Sequence, residues 1–141
     1  MPVVTNDNHL LALDIGDKRV GVATASMAAM IASPLTTLTN DDSLITELKK
    51  LTIDYKVQVV VVGLPRNLSG QDSAQTAKVR SVIDQIDKSL DIKTVAQDEA
   101  LSSVRAEEEL RRRGKIFAKA EVDKLAACFV LEDYIKEQQA L

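Results

Sequence analysis

The sequence predicts an α/β fold: a five-stranded mixed sheet, three antiparallel strands and then two parallel ones, flanked by helices. One observation is a pair of apolar runs, His9-Leu10-Leu11-Ala12-Leu13-Asp14-Ile15-Gly16 and Arg19-Val20-Gly21-Val22-Ala23-Thr24-Ala25, joined by Asp17-Lys18 in the manner of an antiparallel hairpin. The other is the later alternation of helical-period and β-branched stretches, which gives the order β-β-β-α-β-α-β-α-α. Parallel neighbours need a crossover helix, and such crossovers are right-handed, so a meander followed by βαβ units closes into one mixed sheet.

Each element has its own justification. The first run ends in an acid and a glycine, which reads as a buried strand entering a turn. A third short strand falls within Ile31 to Leu38, and Pro34, unable to donate to a ladder, assigns it to a sheet edge. From Ser43 to Tyr55, Leu44, Ile45, Leu48, Leu51 and Tyr55 share one helical face, with Asp41 or Asp42 as N-cap. Val57-Gln58-Val59-Val60-Val61-Val62 is a nearly continuous β-branched run, expected of a central parallel strand covered on both faces. Gly63 to Gly70 reads as a loop by its glycines and proline, and a helix through Val79, Val82, Ile83 and Ile86 follows. Ile92 to Ala96 supplies the fifth strand. Ser102 or Ser103 caps a polar helix that ends near Gly114, and Val122, Leu125, Ala126 and Phe129 stripe the last helix.

A chain of 141 residues suits one domain, taken as 1–141. With 45% hydrophobic and 28% charged residues, disorder, collagen-like repeats and coiled coil are poor descriptions. The one cysteine, Cys128, excludes an internal disulfide framework and a multi-thiolate zinc site. The one histidine, His9, makes every Ser–His or Cys–His nucleophilic design depend on a residue near the start of the chain. No run approaches the roughly 20 apolar residues of a membrane span, and Met1 to Asn8 lacks the regions of a signal peptide, so a cytoplasmic location is expected. A net charge of −3 means that the whole-molecule field does not favour phosphate backbones; a nucleic-acid partner must be held by a local patch.

Three acids stand where chemistry is expected. Asp14 ends the first strand, where ligands of open α/β sheets bind; Asp98 and Glu99 hold the corresponding end of the fifth; Asp123 lies early in the last helix, beside its apolar stripe. Each has an ordinary role open to it: Asp14 as a turn former, Glu99 as a cap, Asp123 as an acid at a helix N-terminus. Their joint placement favours catalysis. If Asp14, Glu99 and Asp123 converge with no Lys or Arg nearby, their repulsion is best relieved by divalent cations bound through oxygen, Mg²⁺ or Mn²⁺. Two such ions suit phosphodiester hydrolysis without histidine or cysteine.

Two further stretches point to phosphate. The Gly63–Gly70 loop, with Arg66 and Asn67, leaves the central strand at the same sheet end as Asp14; if that strand lies between those of Asp14 and Glu99, a side chain at Gly63 would block cation binding shared by the two acids. Arg111-Arg112-Arg113-Gly114-Lys115 is the dense basic run, uninterrupted by acids, and it lies between two of the candidate ligands. A run of charge is often plain solvated surface, but here it offers a hold on a polyanion that the carboxylates would repel. Aromatic residues make up 3%, which speaks against a base-stacking platform for single strands.

In order, Leu13-Asp14-Ile15-Gly16 with Arg19-Val20-Gly21-Val22-Ala23, Val61 through Gly70, Asp98-Glu99 with Leu101-Ser102-Ser103, and Val122-Asp123-Lys124-Leu125-Ala126-Ala127 resemble the signatures of the YqgF/RuvX family, from about Leu10 to Tyr134. The resemblance implies an RNase H-like fold and a metal-dependent nuclease with Asp14, Glu99 and Asp123 as catalytic carboxylates. It also implies maturation of the 5′ end of 16S ribosomal RNA, although the family was earlier described as Holliday junction resolvases. One departure stands out: the family commonly has Arg after the Asp-Glu pair, where this chain has Ala100, leaving Arg66 and Arg105 as candidates to replace that cation.

Several functions compete. The first is a nuclease on structured RNA, as a monomer or homodimer. A resolvase of branched DNA, cutting symmetric strands, would need two active sites and favours a dimer. An actin-like nucleotide-binding module shares an Asp-Ile-Gly turn, but such proteins clamp nucleotide between two domains. The fourth is a non-catalytic RNA-binding module in which the acids are structural.

Overall fold

The computed structural model describes residues 7–65, 74–99, 102–114 and 118–140, except for the side chains at 99, 102 and 103. Apolar residues at alternating or helical spacing produce the elements β1 (His9–Ile15), β2 (Arg19–Ser26), β3 (Ala32–Thr39), α1 (Leu44–Asp54), β4 (Val57–Pro65), α2 (Ala74–Ser89), β5 (Lys93–Glu99), α3 (Ser102–Arg112) and α4 (Lys119–Gln139). The strands form one sheet in the order β3-β2-β1-β4-β5. β1 is antiparallel to β2 and β2 to β3, whereas β4 is parallel to both β1 and β5. This is the predicted mixed sheet, with Pro34 on an edge strand.

The period of two sorts each strand between two cores. Leu10 and Ala12 of β1, Ala23 and Ala25 of β2 and Val61 of β4 pack with α4 and with Ala106 and Leu110 of α3. Leu11, Leu13 and Ile15, Val20 and Val22, and Val60, Val62 and Leu64 pack on the other face with Leu44 and Leu48 of α1 and Val79 and Ile86 of α2. Asp14 and Gly21 therefore share the phase of the α4 face.

Three boundaries differ from the sequence reading, for physical reasons. Gly63 is a strand residue, not the first of a loop: the pairs Gly63↔Gln97, Leu64↔Asp98 and Pro65↔Glu99 continue the ladder past the last valine and extend β5 to Glu99. The rest of that expected loop, 66–70, lies outside the described residues. The N-cap of α1 is Ser43; Asp41 acts just before it, its carboxylate accepting from the Ser43 N–H at 2.9 Å. The last helix is buried on more than one stripe, at Val122, Leu125, Ala126, Ala127, Cys128, Val130, Leu131 and Ile135, because it packs on β1, β2 and β3 and also against α3. The proposed Ser102 or Ser103 cap lies outside the described side chains. α3 ends as expected: Gly114 takes the left-handed conformation at φ 72° and donates its N–H to the Arg111 carbonyl at 2.9 Å. No described helix is long and apolar enough to cross a membrane.

Candidate active site

Asp14 is the penultimate residue of β1 and is half-buried, opposite Gly21 in the antiparallel ladder. Gly21 is where α4 comes closest to the sheet. A Cβ built there would lie 1.9 Å from the Asp123 carbonyl oxygen and 2.2 Å from its carbon, so only a residue without a side chain lets the helix backbone settle on β2. This close approach places Asp123 one strand away from Asp14, at the same end of the same sheet face. A second bond fixes this end of α4: the Thr37 hydroxyl of β3 donates to the Ala120 carbonyl at 2.8 Å.

The parallel half of the sheet supplies the other side. β1 and β4 are in register through Leu13↔Val62, and one step further sets Gly63 beside Asp14; Gly63 in turn pairs with Gln97. β4 thus lies between the strands of Asp14 and Glu99, the arrangement on which the reading of Gly63 depends. Glu99 holds its backbone position opposite Pro65, two residues beyond buried Gln97, and its side chain lies outside the described residues. Asp98 is exposed and pairs with Leu64.

The condition that no Lys or Arg lies nearby is not met at Asp123. Arg19, the first residue of β2, donates from Nε to Oδ2 of Asp123 at 2.7 Å, with the two side chains 37% and 18% exposed. Strand alternation explains it: Arg19 and Gly21 share a phase, and Gly21 seats the backbone of the residue whose carboxylate Arg19 reaches. Among the described residues, no three His, Cys, Asp or Glu side chains gather into a cation site. The donor chemistry fits a hard divalent ion all the same: two carboxylates stand at one sheet end with neither thiol nor imidazole, since His9 opens β1 at its far end and Cys128 is buried in α4.

The basic run is less free than its sequence suggests. Helical spacing returns acids to it: Arg112 and Arg113 both reach Glu109, at 2.6 and 2.7 Å, and Arg111 lies 3.6 Å from Glu107. Hydrogen bonds from Arg112 and then Arg113 hold the Glu109 carboxyl below the usual carboxylate range. Arg105 is committed elsewhere, stacked 4.6 Å over Phe129 and paired with Asp133 at 3.1 Å. Asp133 lies about 15 Å along the helix from Asp123 at the usual rise per residue, so Arg105 is poorly placed to replace the cation missing at Ala100. Arg66, Asn67 and Lys115 lie outside the described residues.

The family described as RuvX, Holliday junction resolvase, matches residues 8–137. The chain belongs to the RuvX family. A relative from Chloroflexus aurantiacus, provisionally named pre-16S rRNA nuclease, is 37% identical over 96% of this chain and 91% of its own length. One from Fusobacterium nucleatum with the same provisional name is 35% identical over 89% of this chain and 94% of its own. Among solved structures, Thermus thermophilus RuvC in complex with Holliday junction substrate superposes with a TM-score of 0.57 at 12% identity, covering 93% of this chain and 95% of that one. The Fowlpox virus resolvase bound to Holliday junction DNA gives 0.55 at 11% identity, covering 92% and 98%. At such identities these likenesses speak to the fold, and the RuvX chain has the RNase H-like fold that its motifs imply.

Sequence reasoning missed the roles of Arg19, Gly21 and Thr37 in seating Asp123. Gly21 alone left a signal, since an isolated glycine inside a strand pattern marks close backbone approach. Nothing local distinguishes Arg19 or Thr37 from other polar strand residues.

Proposed function

We propose that this chain, as one nuclease domain over 1–141, hydrolyses phosphodiester bonds of structured RNA in the 5′-end processing of pre-16S rRNA, with Mg²⁺ or Mn²⁺, in the cytoplasm. As a RuvX-family member it is a hydrolase acting on ester bonds. The observation that carries the reading is the close approach at Gly21, which brings Asp123 from a distant part of the sequence to the sheet end of Asp14, 1.9 Å being all the room a Cβ would find there. Asp14, Asp123 and Glu99 are the residues that would hold the cation. When bound, such an ion supplies Lewis-acid activation of water and offsets charge on the phosphate. Asp14, paired with Gly21 in the antiparallel ladder, offers one carboxylate from the sheet; Asp123 offers a second from the helix; Gly63 leaves the sheet face beside Asp14 without a side chain. Arg66, Asn67, Arg111, Arg112, Arg113 and Lys115 are proposed to hold the backbone of the nucleic acid, whose phosphates the carboxylates alone would repel.

The test is a cleavage assay with and without Mg²⁺ on a pre-16S 5′ leader and on a four-way DNA junction, comparing the wild type with Asp14→Asn. The expected result is metal-dependent cleavage of the RNA, a loss of at least about 100-fold in Asp14→Asn, and retained RNA binding. Cleavage of the junction alone would transfer the activity to branched DNA. Equal activity in Asp14→Asn would remove the site.

A further inference from the structure

The seat of α4 on the sheet contains one bond more than its backbone needs. Gly21 takes the Asp123 carbonyl against β2, and the Thr37 hydroxyl holds the Ala120 carbonyl at 2.8 Å; together they fix the position of the helix end. The Arg19–Asp123 bond at 2.7 Å acts instead on the carboxylate, fixing where its oxygens point and offsetting its charge. An arginine suits this: it is always charged, and a side-on Nε–H donor holds one oxygen in a defined direction. The pair is only partly exposed, at 37% and 18%, so water screens it less than a surface pair.

Resting on the cation-binding reading above, we infer that Arg19 is a positioning residue and built-in counter-ion for Asp123. It keeps this carboxylate aimed into the site before a divalent ion arrives and competes with that ion for it, so Arg19 sets the affinity of the site for metal. Arg19 already donates to Oδ2, one of the two Asp123 oxygens, and two positive groups on one carboxylate repel each other. The consequence is a site with lowered affinity for free divalent ions, which a polyanionic substrate bringing its own oxygens and charge would raise.

Mn²⁺ binding to the nucleic-acid-free protein, followed by electron paramagnetic resonance, tests this in the wild type, Arg19→Gln, Arg19→Lys and Asp123→Asn. Arg19→Gln is expected to bind Mn²⁺ about three- to tenfold more tightly, Arg19→Lys within about twofold of wild type, and Asp123→Asn more weakly, as charge interactions at a partly exposed site dictate. A merely structural Arg19 would give unchanged or weaker binding in Arg19→Gln, and that result overturns the inference. In the wild type, which needs no variant to fold, the Arg19 Nε–H resonance should shift on adding Mg²⁺ and stay put on adding NaCl to equal ionic strength; an unmoved resonance also overturns it. If Mn²⁺ binding to the wild type is indifferent to Asp123→Asn, the cation-binding reading itself fails and takes this inference with it. Normal Asp123-dependent binding with no Arg19 effect removes the inference alone.

Discussion

Gly21 shows how much a single absent side chain can decide. Alanine there would drive its Cβ into the Asp123 carbonyl, where 1.9 Å separates positions that van der Waals contact keeps nearly twice as far apart. Both partners are backbone, so neither can rotate away, and α4 has to lift. Gly21→Ala should cost about 3 kcal/mol in urea unfolding and reduce cleavage further than that loss of stability explains, because Asp123 moves with the helix. Full stability with full activity would show that the helix has slack. Cys128 makes an opposite case. Burial, with the Glu132 carboxylate beside it, pushes its thiol up to about 11, so thiolate is scarce at neutral pH. Ellman's reagent at pH 8 should modify the native protein at least about 100-fold more slowly than the protein unfolded in guanidinium, and comparable rates would contradict the packing around α4. The places of Asp14 near the end of β1 and of Asp123 early in α4 were legible in the sequence, because strand and helix patterns located those elements. Arg19 was not, because its role depends on a residue 104 positions away.

At the level of elements, α3 joins a basic run to its own acids. Arg112 and Arg113 hold Glu109 below the ordinary carboxylate range, so this acid stays charged as the pH falls, and the pairs break only once the pH drops through that lowered value. Across neutral and mildly acidic pH the two arginines remain partly occupied. Glu109→Gln should release them: in an Asp14→Asn background, fluorescence anisotropy should show RNA binding tightened about two- to fivefold at low salt, with the gain vanishing at high salt. Weaker or equal binding would place the RNA on another face. The strands were readable from the sequence because alternation and β-branched runs report burial directly. The ends of β4 and β5 were not: ladder pairing carried both strands past the residues that announced them, through Gly63 and on to Glu99. The extra burial of α4 was hidden for a related reason, since a stripe reports one neighbour and α4 has two, the sheet and α3.

For the whole molecule, a net charge of −3 makes long-range attraction to a polyanion unfavourable, and binding falls to a patch. Replacing Arg111, Arg112 and Arg113 with Ala should weaken binding to all RNA sequences alike and flatten the dependence on salt by about one unit of slope for each phosphate that is no longer neutralised. An unchanged slope would exclude the run from the interface. The order of the chain adds a last consequence. Asp14 belongs to a hairpin that pairs with its immediate neighbours, whereas Asp123 reaches the same sheet end through bonds spanning 83 residues to Thr37 and 104 to Arg19. A growing polypeptide carries the first carboxylate early in its synthesis, and the second joins it only once α4 has emerged and docked. For the nuclease proposed here, a chain still tethered to a ribosome made of RNA would therefore lack a complete set of carboxylates until that helix had docked.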